Sequence, residues 1–239
     1  MTIYAFDMDG TLTPARLPMT EKFKRDFLPW LKNNIAFIAT GSDYKKVGEQ
    51  LPQDVIDAFT GIYGSMGNTL YSNGKLVYKK EIEYDKNMLL DLETFRKDTK
   101  YPYKLFGNYI EKRTGMINFS VIGRECTYEE REKYTAWDKE NGERKNIQKI
   151  LSEKYQDYDF ELGGNISIDL IPKGCGKGQI AHHLRNKYPD EKIIFMGDRT
   201  FPGGNDYALA HELDMMSNTQ VVQVENPDEV IKFLLNTKV

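Results

Sequence analysis

Cysteine is scarce in this chain: Cys126 and Cys175 are its only two among 239 residues, and they form no metal-ligand spacing. Neither a disulfide framework nor a cysteine-built zinc site is therefore available to it. Long apolar runs are missing as well. The strongest, residues 35–39 and 192–196, fall far short of the roughly 20 residues that span a bilayer. The first seven residues lack the basic start and apolar middle of a secretion signal, so a reduced, cytoplasmic compartment is the expectation. Charge of one sign is not in surplus either. Thirty-three Lys and Arg against thirty-six Asp and Glu leave a net charge of −3, which gives no diffuse field for a nucleic-acid backbone or an anionic membrane. Any phosphate ligand must meet cations gathered locally. No Gly-rich loop ends in Gly-Lys-Ser or Gly-Lys-Thr, and Gly174-Cys175-Gly176 lacks the third glycine of a dinucleotide fingerprint, which excludes P-loop enzymes and dehydrogenases. There is no internal repeat.

What is present is globular: 40% apolar, 29% charged and 12% aromatic residues, in a length that suits one domain carrying an insert. Residues 3–6 read as a buried strand, and Phe23, Phe27 and Leu31 recur at helical spacing behind it. Pro29 inside that helix predicts a kink or an early end. A strand at 35–39, a helix at 44–51 and a strand at 61–64 continue the alternation that parallel sheets require. Asn73-Gly74, between the strand-like runs 69–72 and 75–78, predicts a tight hairpin. Asp85 can cap a helix carrying Met88, Leu89, Leu92 and Phe95, and strands at 109–113 and 116–122 meet around Thr114-Gly115. A helical region over 128–155 breaks at Asn141-Gly142, and strands at 159–162 and 166–171 straddle Gly163-Gly164. From Gly176 the alternation resumes, with a helix to 187, a strand at 192–196 and a helix at 228–236 behind Pro227. The expected fold is α/β: a doubly wound parallel-sheet core over 1–81 and 174–239, interrupted by an α+β cap over 82–173.

Asp7-Met8-Asp9-Gly10-Thr11 puts two carboxylates just beyond the first strand, on the edge where α/β sheets bind ligands. A calcium loop is excluded, because the glycine comes too early and Pro18 stands where its glutamate belongs. Gly197-Asp198, with Asp206 behind it, repeats the logic after a later strand. Asp7, Asp9, Asp198 and Asp206 are the candidate metal ligands, and their oxygens suit a hard cation such as Mg²⁺. Thr40 and Ser42, after the second strand, offer hydroxyl and backbone donors to phosphate oxygens, and Lys177 adds a point charge.

In that order these residues resemble the haloacid dehalogenase superfamily, in a phosphoryl-transfer form with a Cof-like α+β cap. A closer resemblance runs through Asp7-Met8-Asp9-Gly10-Thr11-Leu12-Thr13-Pro14-Ala15-Arg16, Arg113-Thr114-Gly115-Met116-Ile117-Asn118, Ile122-Gly123-Arg124, Glu129-Glu130-Arg131, Gly163 to Asp169 and Gly197 to Asp206. These segments are similar to the eukaryotic-type phosphomannomutases. The resemblance implies Asp7 as nucleophile, Asp9 as acid/base and Asp198 as a magnesium ligand. It also implies Arg16, Arg113, Arg124, Arg131, Ser167 and Asp169 as sugar-phosphate contacts, and a homodimer through the cap. Gly64 to Leu70 departs from that family's Glu-Asn-Gly-Leu loop, and Thr40 stands where those mutases carry glycine and simple phosphatases carry threonine.

Chemically, a carboxylate at Asp7 can attack phosphorus to give an aspartyl-phosphate, with Asp9 passing the proton and Lys177 assisting. Water as acceptor makes an Mg²⁺-dependent sugar-phosphate phosphatase. A sugar phosphate as acceptor makes a mutase, converting mannose 6-phosphate to mannose 1-phosphate with a hexose 1,6-bisphosphate as activator. A mutase must also grip the phosphate that is not reacting, and Arg113, Arg124 and Arg131, on successive elements of the cap, can each donate paired hydrogen bonds to one. A noncatalytic sensor on this fold would not need Asp7 and Asp9, and both are present.

Overall fold

The computed structural model describes residues 1–236 of the chain. It opens with β1 (Thr2–Phe6), α1 (Glu21–Leu31), β2 (Ile35–Ala39), α2 (Tyr44–Gln50), α3 (Gln53–Ala58) and β3 (Gly61–Gly64). A 3-10 turn at Ser65–Gly67 leads into the hairpin of β4 (Thr69–Ser72) and β5 (Lys75–Lys79). Asn73 (φ 49°) and Gly74 (φ 70°) both take the left-handed backbone that this two-residue turn needs. The inserted unit, Glu81–Lys173, holds α4 (Lys86–Lys97), β6 (Ile110–Arg113), β7 (Met116–Phe119), α5 (Tyr128–Asn141), α6 (Glu143–Lys154), β8 (Tyr158–Gly163) and β9 (Ser167–Pro172). The first unit then resumes with α7 (Gln179–Lys187), β10 (Lys192–Gly197), α8 (Tyr207–Asp214), β11 (Thr219–Gln223) and α9 (Pro227–Asn236). The chain leaves this unit after Lys80 and returns at Gly174, and the Lys80 Nζ donates to the Gly174 carbonyl at 3.2 Å.

In the first unit the strand order is β11-β10-β1-β2-β3-β4-β5, parallel through β3 and antiparallel in β4 and β5. Chain order reverses around β1, which lies between β2 and the much later β10, so the loops after β1, β2 and β10 share one edge of the sheet. Alternate residues of β1 serve opposite cores. Tyr4 and Phe6 pack with Phe23, Phe27 and Val230, while Ile3 and Ala5 pack with Ile180, Leu184, Leu209 and Leu213. Phe27 is fully buried and meets the Phe6 ring edge-on at 5.6 Å, a contact set whose loss to alanine costs about 3–5 kcal/mol. The inserted unit has its own antiparallel sheet, β6-β7-β9-β8, with one apolar face: Ile117, Phe119, Phe160, Ile168 and Leu170 pack with Met88, Leu92, Tyr134, Ile147 and Leu151 from the helices. Gly142 (φ 67°) turns α5 into α6.

Two expectations need correcting. α1 is helical through Pro29 and stops at Leu31, because a proline in the last turn removes only the hydrogen bond to Arg25, an exposed residue. The Asn33 and Asn34 side chains then donate to the Pro29 and Trp30 carbonyls, each at 2.8 Å. β7 also ends at Phe119, short of the expected 122. The sequence pattern does not predict α3, α8 or β11. Among the described residues no helix is long and apolar enough to cross a membrane.

Candidate active site

β1 delivers Asp7 to the shared edge, where its amide donates to the Met196 carbonyl of β10 at 2.8 Å and continues the parallel ladder by one residue. Asp198 follows β10 directly. Asp206 reaches the same place by a turn, its amide donating to the Arg199 carbonyl at 3.1 Å just before α8 starts. Carboxylate oxygens of Asp7, Asp198 and Asp206 thus lie within 4.8 Å of one another. Lys177, ahead of α7, sends its Nζ to Asp7 Oδ1 at 2.6 Å and to Asp206 Oδ1. Lys177, Asp7 and Asp206 are all buried.

One ammonium cannot neutralise three carboxylates. Burial pushes the Asp7 carboxyl up to about 7; Lys177 pulls it down, and Asp206 pushes it further up. Burial, then the charge of Asp206, also raises Asp198. Lys177 is held well above the ordinary lysine value, because its two carboxylate partners outweigh its own desolvation. Two buried oxygens, Asp7 Oδ2 and Asp198 Oδ1, have no hydrogen-bond partner among the described residues. Orphaned carboxylate oxygens in an excess of negative charge are the donor set of a hard divalent cation, so these residues fit Mg²⁺. Glycine makes the close approach possible: a Cβ on Gly10 (φ 87°) would lie 2.5 Å from Asp198 Oδ2, and one on Gly197 would lie 2.6 Å from Asp206 Oδ2.

Asp9 is not gathered with the other three. The amides of Thr11, Leu12 and Thr13 converge on the Met8 carbonyl, which turns the chain, and the Asp9 Oδ1 accepts from the Arg16 amide at 2.7 Å. Arg16 itself takes a left-handed backbone, φ 61°. Beside β1, Thr40 follows β2 and its hydroxyl oxygen accepts from the Ser42 amide at 3.1 Å. Asp43 occupies the Lys46 amide at the start of α2, so the backbone donors expected here for phosphate are partly spent on the loop itself. The hydroxyl hydrogen of Thr40 remains a donor. The turn at Ser65 (φ 49°) and Met66 (φ 62°) is bound to this loop through Ser65 N to Ser42 O at 2.8 Å and Met66 N to Thr40 O at 3.0 Å.

The remaining candidates belong to the inserted unit and are set by strand register. Glu111 of β6 faces Asn118 of β7, Asn118 faces Asp169 of β9, and Asp169 faces Glu161 of β8, which makes one polar rung across the sheet opposite its apolar face. Arg113, two residues from Glu111, shares that side. Asn118 donates to Asp169 Oδ1 at 2.5 Å and accepts from Arg124 Nη1 at 2.6 Å. Glu111 Oε2 accepts from Arg113 Nε at 2.8 Å and lies 3.2 Å from Arg124 Nε. Arg131, in the first turn of α5, adds a third charge close enough to disfavour the Arg124 cation, behind burial and Arg113 and against Glu111 and Asp169. Burial raises Asp169. Ser167 is buried, and its hydroxyl donates to the Gly163 carbonyl at 2.6 Å. Glu111 and Asn118 escaped the reading by residue type. The signal that finds them is the turn at Thr114-Gly115, which places 111 opposite 118.

The family model of eukaryotic phosphomannomutase matches residues 24–237. Phosphomannomutase 1 of Dictyostelium discoideum is 35% identical, over 98% of this chain and 95% of its own length. The phosphomannomutase of Saccharomyces cerevisiae is 36% identical, over 98% and 92%. Of solved structures, a haloacid dehalogenase-like hydrolase from Bacteroides thetaiotaomicron superposes with a TM-score of 0.66 over 99% of both chains at 12% identity. A protein from Thermotoga maritima does so with a TM-score of 0.65 over 99% of this chain and 97% of that one at 16% identity. Both share the fold.

Proposed function

Because the chain belongs to the eukaryotic phosphomannomutase family, we propose that it interconverts mannose 6-phosphate and mannose 1-phosphate through an aspartyl-phosphate and a hexose 1,6-bisphosphate. The observation that carries the reading is the guanidinium set of the inserted unit, with Arg113 and Arg124 on the polar sheet face and Arg131, on α5, close enough to act on Arg124. A phosphatase for a monophosphate has no need of a second anion grip, whereas a mutase must hold whichever phosphate is not reacting.

Asp7 attacks phosphorus, an Asp7 oxygen–phosphorus bond forms, and the phosphorus–sugar oxygen bond breaks with its electron pair on the sugar oxygen, which takes a proton from Asp9. In the productive direction the phosphoryl group on Asp7 passes to O1 of mannose 6-phosphate while Asp9 removes the hydroxyl proton. The bisphosphate, turned end for end, returns its 6-phosphoryl group to Asp7 and leaves as mannose 1-phosphate. Lys177 holds Asp7 by its Oδ1, which fixes the carboxylate at the sheet edge for attack. Asp206 keeps Lys177 in place. Asp7 and Asp198 carry the orphaned oxygens and would hold a magnesium ion, with Asp206 completing the acidic cluster. When bound, magnesium supplies charge neutralisation for the carboxylates and for the phosphoryl oxygens.

Arg16, Thr40 and Ser42 serve the substrate from the first unit, and Ser167 and Asp169 bind sugar hydroxyls beside the arginines. Family membership supports pairing of two copies through the inserted unit, and the unbonded Cys126 and Cys175 support work in the reducing cytoplasm. The test is incubation with mannose 1-phosphate, Mg²⁺ and a hexose 1,6-bisphosphate. Mannose 6-phosphate should appear without matching free phosphate; free phosphate as the main product would replace the mutase with a phosphatase.

A further inference from the structure

A single carboxylate oxygen, Glu111 Oε2, accepts from both Nε and Nη2 of Arg113 and lies 3.2 Å from Arg124 Nε. An acceptor oxygen between two guanidiniums is where a phosphate oxygen would go. Glu111 and Arg113 lie two residues apart on β6, so their side chains leave the same face of the sheet, and the carboxylate meets the guanidinium through two of its nitrogens. Arg113 and Arg124 share Glu111, and Arg124 is linked through Asn118 to Asp169, which lowers the net positive charge this grip offers an incoming dianion.

We propose that Glu111 is a positioning residue that stands in for the distal phosphate, keeping Arg113 and Arg124 aligned while the site is empty and competing with the phosphate when it arrives. The inference rests on reading these arginines as the second phosphate grip. Its chemical sense lies in turnover: a bisphosphate that must let go of one end and rebind by the other is best held by a moderate grip. A half-exposed Glu–Arg pair with no ligand to make room for would gain little from sharing one oxygen between two cations. Asn118 lacks this competing role, because it is neutral and its two ends already join Arg124 to Asp169.

Glu111→Gln keeps the shape of the side chain and removes its charge. In the full chain, the Nε–H resonances of Arg113 and Arg124 followed during titration with inorganic phosphate should shift at about 3- to 30-fold lower phosphate in the variant, the effect of deleting one partly screened like charge beside the anion. For mannose 1-phosphate the variant should show a lower KM together with a lower kcat, since the bisphosphate is released more slowly. Unchanged or weaker phosphate binding, or a raised KM at constant kcat, overturns the proposal and makes Glu111 a simple strut. If the wild-type chain makes no mannose 6-phosphate and the arginine resonances still respond to phosphate earlier in the variant, the mutase reading falls and the competition stands. If mutase activity is present and the resonances do not shift earlier, only the competition falls.

Discussion

Replacing Lys177 by methionine keeps a chain of similar length in the same place and removes the cation that, among the described residues, touches Asp7 and Asp206. Both partners are buried, so neither can recover its lost interaction from water. Removing one partner of such a buried set costs about 3–5 kcal/mol, which for a chain of this size lowers the melting temperature by about 6–20 °C. Two further signatures separate a charge effect from a packing effect. The folded Asp7 carboxyl titrates near 7 against an ordinary 3.8, so the stability it contributes is complete below pH 4 and is lost as the pH rises through 7. Without Lys177 that folded value rises further, so the loss continues above pH 7 and the gap between variant and wild type widens from pH 5 to pH 8. Magnesium should narrow the gap, because ion binding at about one hundred times its dissociation constant returns about 2.7 kcal/mol. Calorimetric melts of both proteins at pH 5 and pH 8, in chelator and in Mg²⁺, read all of this. A gap that ignores both pH and Mg²⁺ would show that Lys177 acts by filling space, and the electrostatic account of the site would be wrong.

Gly10→Ala forces a left-handed alanine, at about 1–2 kcal/mol, and drives a methyl group to within 2.5 Å of Asp198 Oδ2. The Mg²⁺ concentration for half-maximal activity should rise at least about tenfold as the carboxylate is displaced; an unaltered midpoint refutes the packing argument. Arg124→Ala removes a charge-assisted contact worth about 1.5–3 kcal/mol, so kcat/KM for the sugar phosphate should fall about 10- to 150-fold while hydrolysis of a small aryl phosphate changes little. Equal losses on both substrates would remove Arg124 from the distal grip.

Much of the core is legible in the sequence because its signals are local. An apolar run followed by aspartate marks β1 and β10, Asn73-Gly74 marks the hairpin, and Gly142 marks the break between α5 and α6. The pieces that escape have weak local signals. β11 reads Thr-Gln-Val-Val-Gln and sits at the sheet edge with partial burial, so it shows little alternation. α3 has six residues, too few to display a helical period, and α8 begins directly behind a glycine-rich loop. The site divides in the same way. Asp7 and Asp198 can be read off strand ends, with Asp206 behind the second, but a spacing of two does not reveal that the turn at Met8 carries the Asp9 carboxylate off toward the Arg16 amide. The rung of Glu111, Asn118, Asp169 and Glu161 is harder still, since three strand pairings must be known before those four residues become neighbours.

The exit at Lys80 and the return at Gly174, joined by a side-chain hydrogen bond, mean that the first unit presents two nearby ends to whatever is spliced between them. Its sheet, its three gathered aspartates and its lysine are all encoded outside Glu81–Lys173. The spliced segment can therefore be exchanged wholesale without touching the residues that gather at the edge of the first sheet.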